Sequence, residues 1–174
     1  MHQLLLLRHA KSSWDDPKLA DRDRPLSKRG RRAAGAMRRA MLDLGLTPDV
    51  VLVSPSRRTQ ETLAALEPWD DTPLVEQVEA LYLATAPQLL AILRDVNETV
   101  RSVMLIGHNP GMHELAVLLA STSAASDATG RVTAGFPTAA LAEFSVATQW
   151  QQLDAAGTRL VRFLTPRDLA ESAT

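Results

Sequence analysis

The sequence predicts an α/β fold, a three-layer α/β/α sandwich around a mostly parallel central sheet. Three observations carry this. Unbroken apolar runs of four stand at 4–7 (LLLL), 50–53 (VVLV) and 103–106 (VMLI). Each run breaks into polar residues and then into a helical pattern, and the stretches between runs are long enough to hold crossover helices. Runs of this kind read as strands buried on both faces of a helix-covered sheet. At 174 residues the chain fits a single domain, residues 1–174, with no internal repeat or linker to divide it.

Taken in order, the strand at 4–7 ends in Arg8 and His9. A helix follows through LSKRGRRAAGAMRRAMLDLGL. Ala33, Ala34, Met37, Met41 and Leu44 recur there at helical spacing, and Gly45 marks its end. After the strand at 50–53, Ser54 is expected to cap a helix whose first residue is Pro55. Thr85 with Gln88 forms a capping-box pattern, and with Pro87 in the first turn it predicts a helix to about Val96. After 103–106, Gly107 and His108 make a junction, with Asn109 expected as cap and Pro110 as the first helical residue. Residues 121–135 are small, polar and aperiodic, and read as a loop. AALAEFSVA and TRLVRFLTP read as two late strands.

Composition narrows the function. Hydrophobic residues make up 45% and charged residues 22%, the balance of an ordinary globular protein. A net charge of −1 implies no nucleic-acid or membrane partner. The chain has no cysteine, which excludes disulfides, thiolate metal sites and cysteine nucleophiles. The apolar stretch near the N-terminus is too short for a signal segment or a span. The expected location is the cytoplasm, and a monomer is the default at this size.

The chemistry gathers at strand ends, where open α/β sheets bind ligands. Arg8 and His9 follow the first run, and His108 follows the third. Arg58 lies about one helical turn past the second, able to lean back over the strand ends. Two arginines, two histidines and a helix N-terminus are suited to a doubly charged tetrahedral anion such as phosphate. The two histidines have no third residue at a spacing suited to a metal, so no metal or other cofactor is expected.

These segments also carry a resemblance. LLLLRHA resembles the Arg-His-Gly signature of the histidine phosphatase superfamily, with Ala10 in the third place. SPSRRTQET resembles its second motif, with Ser54, Arg58 and Thr62 in register, and LIGHNPG its third. With RHAKSSW, RPLSKRG and FPTAALAEF, the chain looks most like the SixA-type phosphohistidine phosphatases, from about Leu4 to Pro166. The resemblance implies a phosphoglycerate mutase-like fold and a metal-independent phosphatase. His9 would be the nucleophile, with Arg8, Arg58 and His108 stabilising the phosphoryl group in transfer. It also places a general acid near Glu79, with Glu76 as the alternative.

About fifty residues separate His9 from Arg58 and Arg58 from His108, and the assigned elements fill both gaps. Little remains for a lid, and an open site suits a phosphoryl group displayed on a phosphohistidine-bearing protein domain. A small-molecule phosphomonoesterase, a mutase-like transferase and a non-catalytic phosphate-binding module are the alternatives. Lys11 and Ser12 read either as phosphate contacts or as solvated loop. The basic helix at 28–39 reads either as a solvated face or as a docking surface for an acidic partner. Trp14, Trp69 and Trp150 read as packing residues.

Overall fold

The computed structural model describes residues 1–172. Its strands are β1 (His2–Arg8), β2 (Val50–Val53), β3 (Leu74–Gln77), β4 (Ser102–Gly107), β5 (Leu141–Val146) and β6 (Thr158–Leu164). Its helices are α1 (Lys28–Leu44), α2 (Arg57–Ala65), α3 (Ala86–Arg94), α4 (Gly111–Ala120), α5 (Asp127–Ala134) and α6 (Pro166–Ser172). The strands form one sheet in the order β3-β2-β4-β1-β5-β6. The first four run parallel, β5 runs antiparallel to β1, and β6 antiparallel to β5, so only β5 is reversed in this mostly parallel sheet.

The four leucines of β1 are each 0–1% exposed, and pleating splits them between two cores. Leu4 and Leu6 pack with residues of α3 and α4, including Leu89 and Leu115. Leu5 and Leu7 pack on the opposite face with Met37 and Met41 of α1 and Leu63 of α2. The continuous apolar run is therefore a strand with a helix layer on each side. Helix α1 follows β1 into one layer and α4 follows β4 into the other. The chain diverges between these neighbouring strands, so a crevice opens beyond their carboxyl ends, where Arg8 pairs with Gly107.

Several local expectations need correction. Helix α2 is capped by Ser56, whose side chain accepts from Thr59 N–H, so Pro55 lies outside the helix. Ser54 is drawn away from capping by a histidine partner described below. Pro110 is the cap position of α4 and Gly111 its first residue, while Asn109 Oδ1 accepts from His113 N–H at 3.2 Å. Residues 127–134, read as loop, form α5 behind a Ser126–Thr129 capping box. A short helix with one buried residue, Val132, carries little periodic signal. Edge strand β3, exposed throughout, went unread for the same reason. Gly45 ends α1 at φ 67°, and the Thr85–Gln88 box opens α3, both as expected.

Gly30 is where helix α1 meets the strand-end loop. A Cβ there would stand 2.1 Å from the carbonyl oxygen of Lys11, whereas one on Gly35 would meet nothing closer than 3.9 Å. Gly30→Ala should therefore lower stability by about 1–3 kcal/mol through forced overpacking. Gly35→Ala should raise it by roughly 0.5–1 kcal/mol through helix propensity. Denaturant unfolding of the two variants checks both signs.

Candidate active site

Backbone bonds hold the end of β1 from both sides. Arg8 N–H donates to Ala140 C=O at 3.1 Å, and His9 N–H donates to Gly107 C=O at 3.1 Å. Ala139 N–H reaches the carbonyls of Arg8 and His9 at 3.1 and 3.0 Å. Ala10 N–H donates to Thr62 Oγ1 at 2.9 Å, and Thr62 in turn donates to Arg58 C=O at 2.7 Å. Thr62 thus ties the loop after His9 to the helix carrying Arg58. Ala10 is wholly buried in a small cluster with Leu26, Ala34 and Ala139, which accommodates its methyl where the signature has glycine.

The structure brings Arg8, His9, Arg58 and His108 to the rim of one pocket of about 300 Å³, with Lys11 and Ser12 beside them. The rings of His9 and His108 lie 5.2 Å apart, centre to centre. His9 Nδ1 lies 2.7 Å from Ala10 C=O, an acceptor only, so Nδ1 holds the proton and Nε2 keeps its lone pair. His108 has the opposite tautomer. Arg58 approaches its Nδ1 at 3.4 Å as donor, and its Nε2–H then donates to Ser54 Oγ at 2.8 Å. Ser54 is thus a positioning residue for His108.

Burial chiefly, with Arg58, Arg8 and Arg24 nearby, lowers His9 to a pKa of about 4 against the opposing pull of the Ala10 carbonyl. Burial, then His9 and Arg58, lowers His108 to about 3, although Asp21 works the other way. Both rings are neutral at pH 7. Burial, then Arg58, also lowers Arg8, which remains a cation at that pH. Arg8 Nε and Arg58 Nε are shielded from water and make no hydrogen bond. Cationic donors left in this state gain when an anion enters.

Sequence reasoning missed an arm between Ser13 and Pro25. Arg24, 7% exposed, lines the pocket as a third arginine. It donates to Ser12 Oγ, to Ser13 C=O at 3.1 Å and to Asp21 Oδ1 at 3.0 Å. Its guanidinium lies 3.2 Å from the ring centre of Trp14, which is 75% exposed at the pocket rim. Trp14 is no core residue, whereas Trp150 is fully buried. The available signal was RPLS, where an arginine precedes a proline that fixes the chain. Asp21, in the short 3₁₀ turn Asp21–Asp23, accepts from Arg58 at 3.0 Å and from Tyr82 Oη at 2.5 Å. Asp21 C=O also accepts from Arg58 at 2.7 Å. Tyr82 foremost, then Arg58, lowers Asp21 to a pKa of about 2.

Glu79 stands apart from this pocket. It is exposed, and both carboxylate oxygens accept from Arg22, at 2.5 and 2.8 Å. That pairing lowers its pKa and keeps it ionised, the wrong form for a proton donor. Glu76, the alternative, is an exposed residue of β3 and does not line the pocket either.

The neutral histidines make a pH prediction. Unfolded, each titrates near 6.5 and takes up a proton that the folded chain resists. Their contribution to stability is complete above about pH 6.5. It is lost progressively as pH falls toward about 4 for His9 and about 3 for His108. Imidazole ¹⁵N spectra from pH 8 to 4.5 should show both rings neutral in their stated tautomers over most of that range. Protonation of either near pH 6.5 would contradict the burial argument.

Known proteins resemble this chain in sequence and in fold. Residues 4–81 match the profile of the histidine phosphatase superfamily, branch 1. The Mycobacterium tuberculosis protein Rv1276c is 36% identical over 163 residues, covering 92% of this chain and all of the relative. A chloroplastic protein of Arabidopsis thaliana is 36% identical over 131 residues, and the match covers 70% of this chain but 60% of that one. A candidate phosphohistidine phosphatase SixA from Nakamurella multipartitia superposes with a TM-score of 0.82 at 27% identity, covering 95% of this chain and 96% of that one. Another from Agrobacterium tumefaciens gives 0.79 at 28% identity, covering 95% and 98%. The three-layer arrangement is the phosphoglycerate mutase-like fold. With its motifs meeting at one crevice and a relative aligned end to end, the chain belongs to the histidine phosphatase superfamily.

Proposed function

We propose that the protein is a phosphohistidine phosphatase acting on a protein substrate through a covalent intermediate on His9. The observation that carries this is the state of the nearby carboxylates. Asp21 is held ionised by Tyr82 and Arg58, and Glu79 by Arg22. No Asp or Glu lines the pocket among the described residues. An alkyl phosphate needs a proton donor for its departing alkoxide. A phosphoimidazole protonated on its second nitrogen leaves as neutral imidazole and needs no such donor.

In the first step the Nε2 lone pair of His9 attacks phosphorus, and the bond from phosphorus to the substrate nitrogen breaks. Arg8, Arg24 and Arg58 spread positive charge over the phosphoryl oxygens, the term that dominates such transfers. The Nδ1–H of His9 stays on the Ala10 carbonyl, which offsets the charge that the phosphorylated ring acquires. In the second step water attacks phosphorus, the bond to His9 Nε2 breaks, and inorganic phosphate departs. The water's protons leave with the phosphate, while His108, whose Nδ1 accepts from Arg58, holds that guanidinium in place. Trp14 and Leu83, exposed at the rim, offer apolar contacts that suit a macromolecular substrate.

Steady-state hydrolysis of a phosphohistidine peptide and a phosphoserine peptide of the same sequence tests the proposal. Wild type should favour phosphohistidine by at least about a hundredfold in kcat/KM, as the loss of general-acid help implies for the ester. Equal rates, or a preference for phosphoserine, would overturn it. Arg58→Ala should lower kcat/KM for phosphohistidine by about 10²–10³, in line with loss of a charge-stabilising donor.

A further inference from the structure

A second groove, of about 540 Å³, opens beside the catalytic pocket. Lys11 and Thr138 line both, so the two are continuous. Its apolar wall includes Phe163, Pro137 and Ala33, and its cations are Lys11, Arg29, Arg131 and Arg167. No carboxylate is among its lining residues. Arg131 is already engaged by Asp127, Asp168 and the carbonyl of Phe163, which leaves the groove's positive character chiefly to Lys11 and Arg29. Arg29 is exposed in the first turn of α1, where a cation opposes the helix dipole. An acidic ligand would relieve that cost.

We propose that this groove docks an acidic segment flanking the phosphorylated histidine of the substrate protein. The proposal rests on the phosphohistidine reading and adds to it a sequence preference. Continuity through Lys11 and Thr138 lets one ligand place its phosphoryl group in the pocket and its acidic side chains in the groove. The volume falls within the roughly 300–1,000 Å³ of ligand clefts, room for a few side chains. The apolar wall suits the aliphatic parts of a peptide, for which a small free anion has no use. The basic face of α1 thereby gains a function at Arg29.

Two synthetic phosphohistidine peptides test it, one with four Asp or Glu residues flanking the phosphohistidine and one with Asn and Gln in their place. Wild type should turn over the acidic peptide about tenfold faster in kcat/KM at low salt, the scale expected of a few exposed charge pairs. The variant Arg29→Glu should abolish or reverse that preference. Ala134→Trp, which fills the groove without changing its charge, should reduce it as well. Turnover of an aryl phosphate, too small to reach the groove, should be retained in Ala134→Trp and shows that the site is folded. Equal turnover of both peptides by wild type, or an unchanged preference in both variants, overturns the docking proposal and leaves the phosphohistidine reading standing. Hydrolysis of the aryl phosphate with neither peptide turned over overturns that reading and the proposal with it. A wild-type dimer that Ala134→Trp dissociates in sedimentation assigns the groove to a second copy of the chain and also overturns docking.

Discussion

Three arginines meet beyond the end of β1, and Asp21 is the carboxylate that answers them. Arg58 and Arg24 both donate to its side chain, and Tyr82 adds a third bond. Arg8 instead donates to a backbone carbonyl, that of Phe136. The site therefore keeps an excess of buried positive charge. Burial foremost, and then that excess, hold His9 and His108 neutral. The same excess makes the entry of a phosphoryl dianion favourable.

Such crowding is tolerable because the frame beneath it is rigid. The leucines of β1 fill cores on both faces of the sheet, and flanking backbone bonds fix the carbonyls of Arg8 and His9. Thr62 couples that strand end to helix α2, and Gly30 lets the Lys11 carbonyl rest against α1. A displaced His9 would have to disturb several of these at once. Preorganisation of this kind is paid for in folding and spent at binding.

Much of this was legible in the sequence. Unbroken apolar runs gave β1, β2 and β4, because doubly covered strands need no alternation. The residues at their ends gave Arg8, His9 and His108, and helical reach gave Arg58. What escaped had weak local signals. Arg24, Asp21 and Trp14 lie on an arm with little regular structure, and their positions depend on contacts with residues such as Ser12 and Arg58. Ser54 looked like a cap, yet a buried histidine from fifty-four residues away claims its hydroxyl. Glu79 lay in the expected stretch, but Arg22, equally remote in sequence, holds it at the surface. Periodicity and motif spacing cannot register competition between distant partners. The arm also qualifies the expectation that little chain remained to cover the site, since it builds one wall of the pocket from residues between the first motif and α1.

Covalent transfer to His9 is tested most directly by rapid-quench intact-mass measurement on wild type and His9→Ala, with a reactive aryl phosphate as donor. Wild type should carry an acid-labile phosphoryl group that maps to His9, and His9→Ala should carry none while remaining folded. A phosphoryl adduct of equal occupancy in His9→Ala, or full turnover by that variant, would contradict the assignment of His9 as nucleophile.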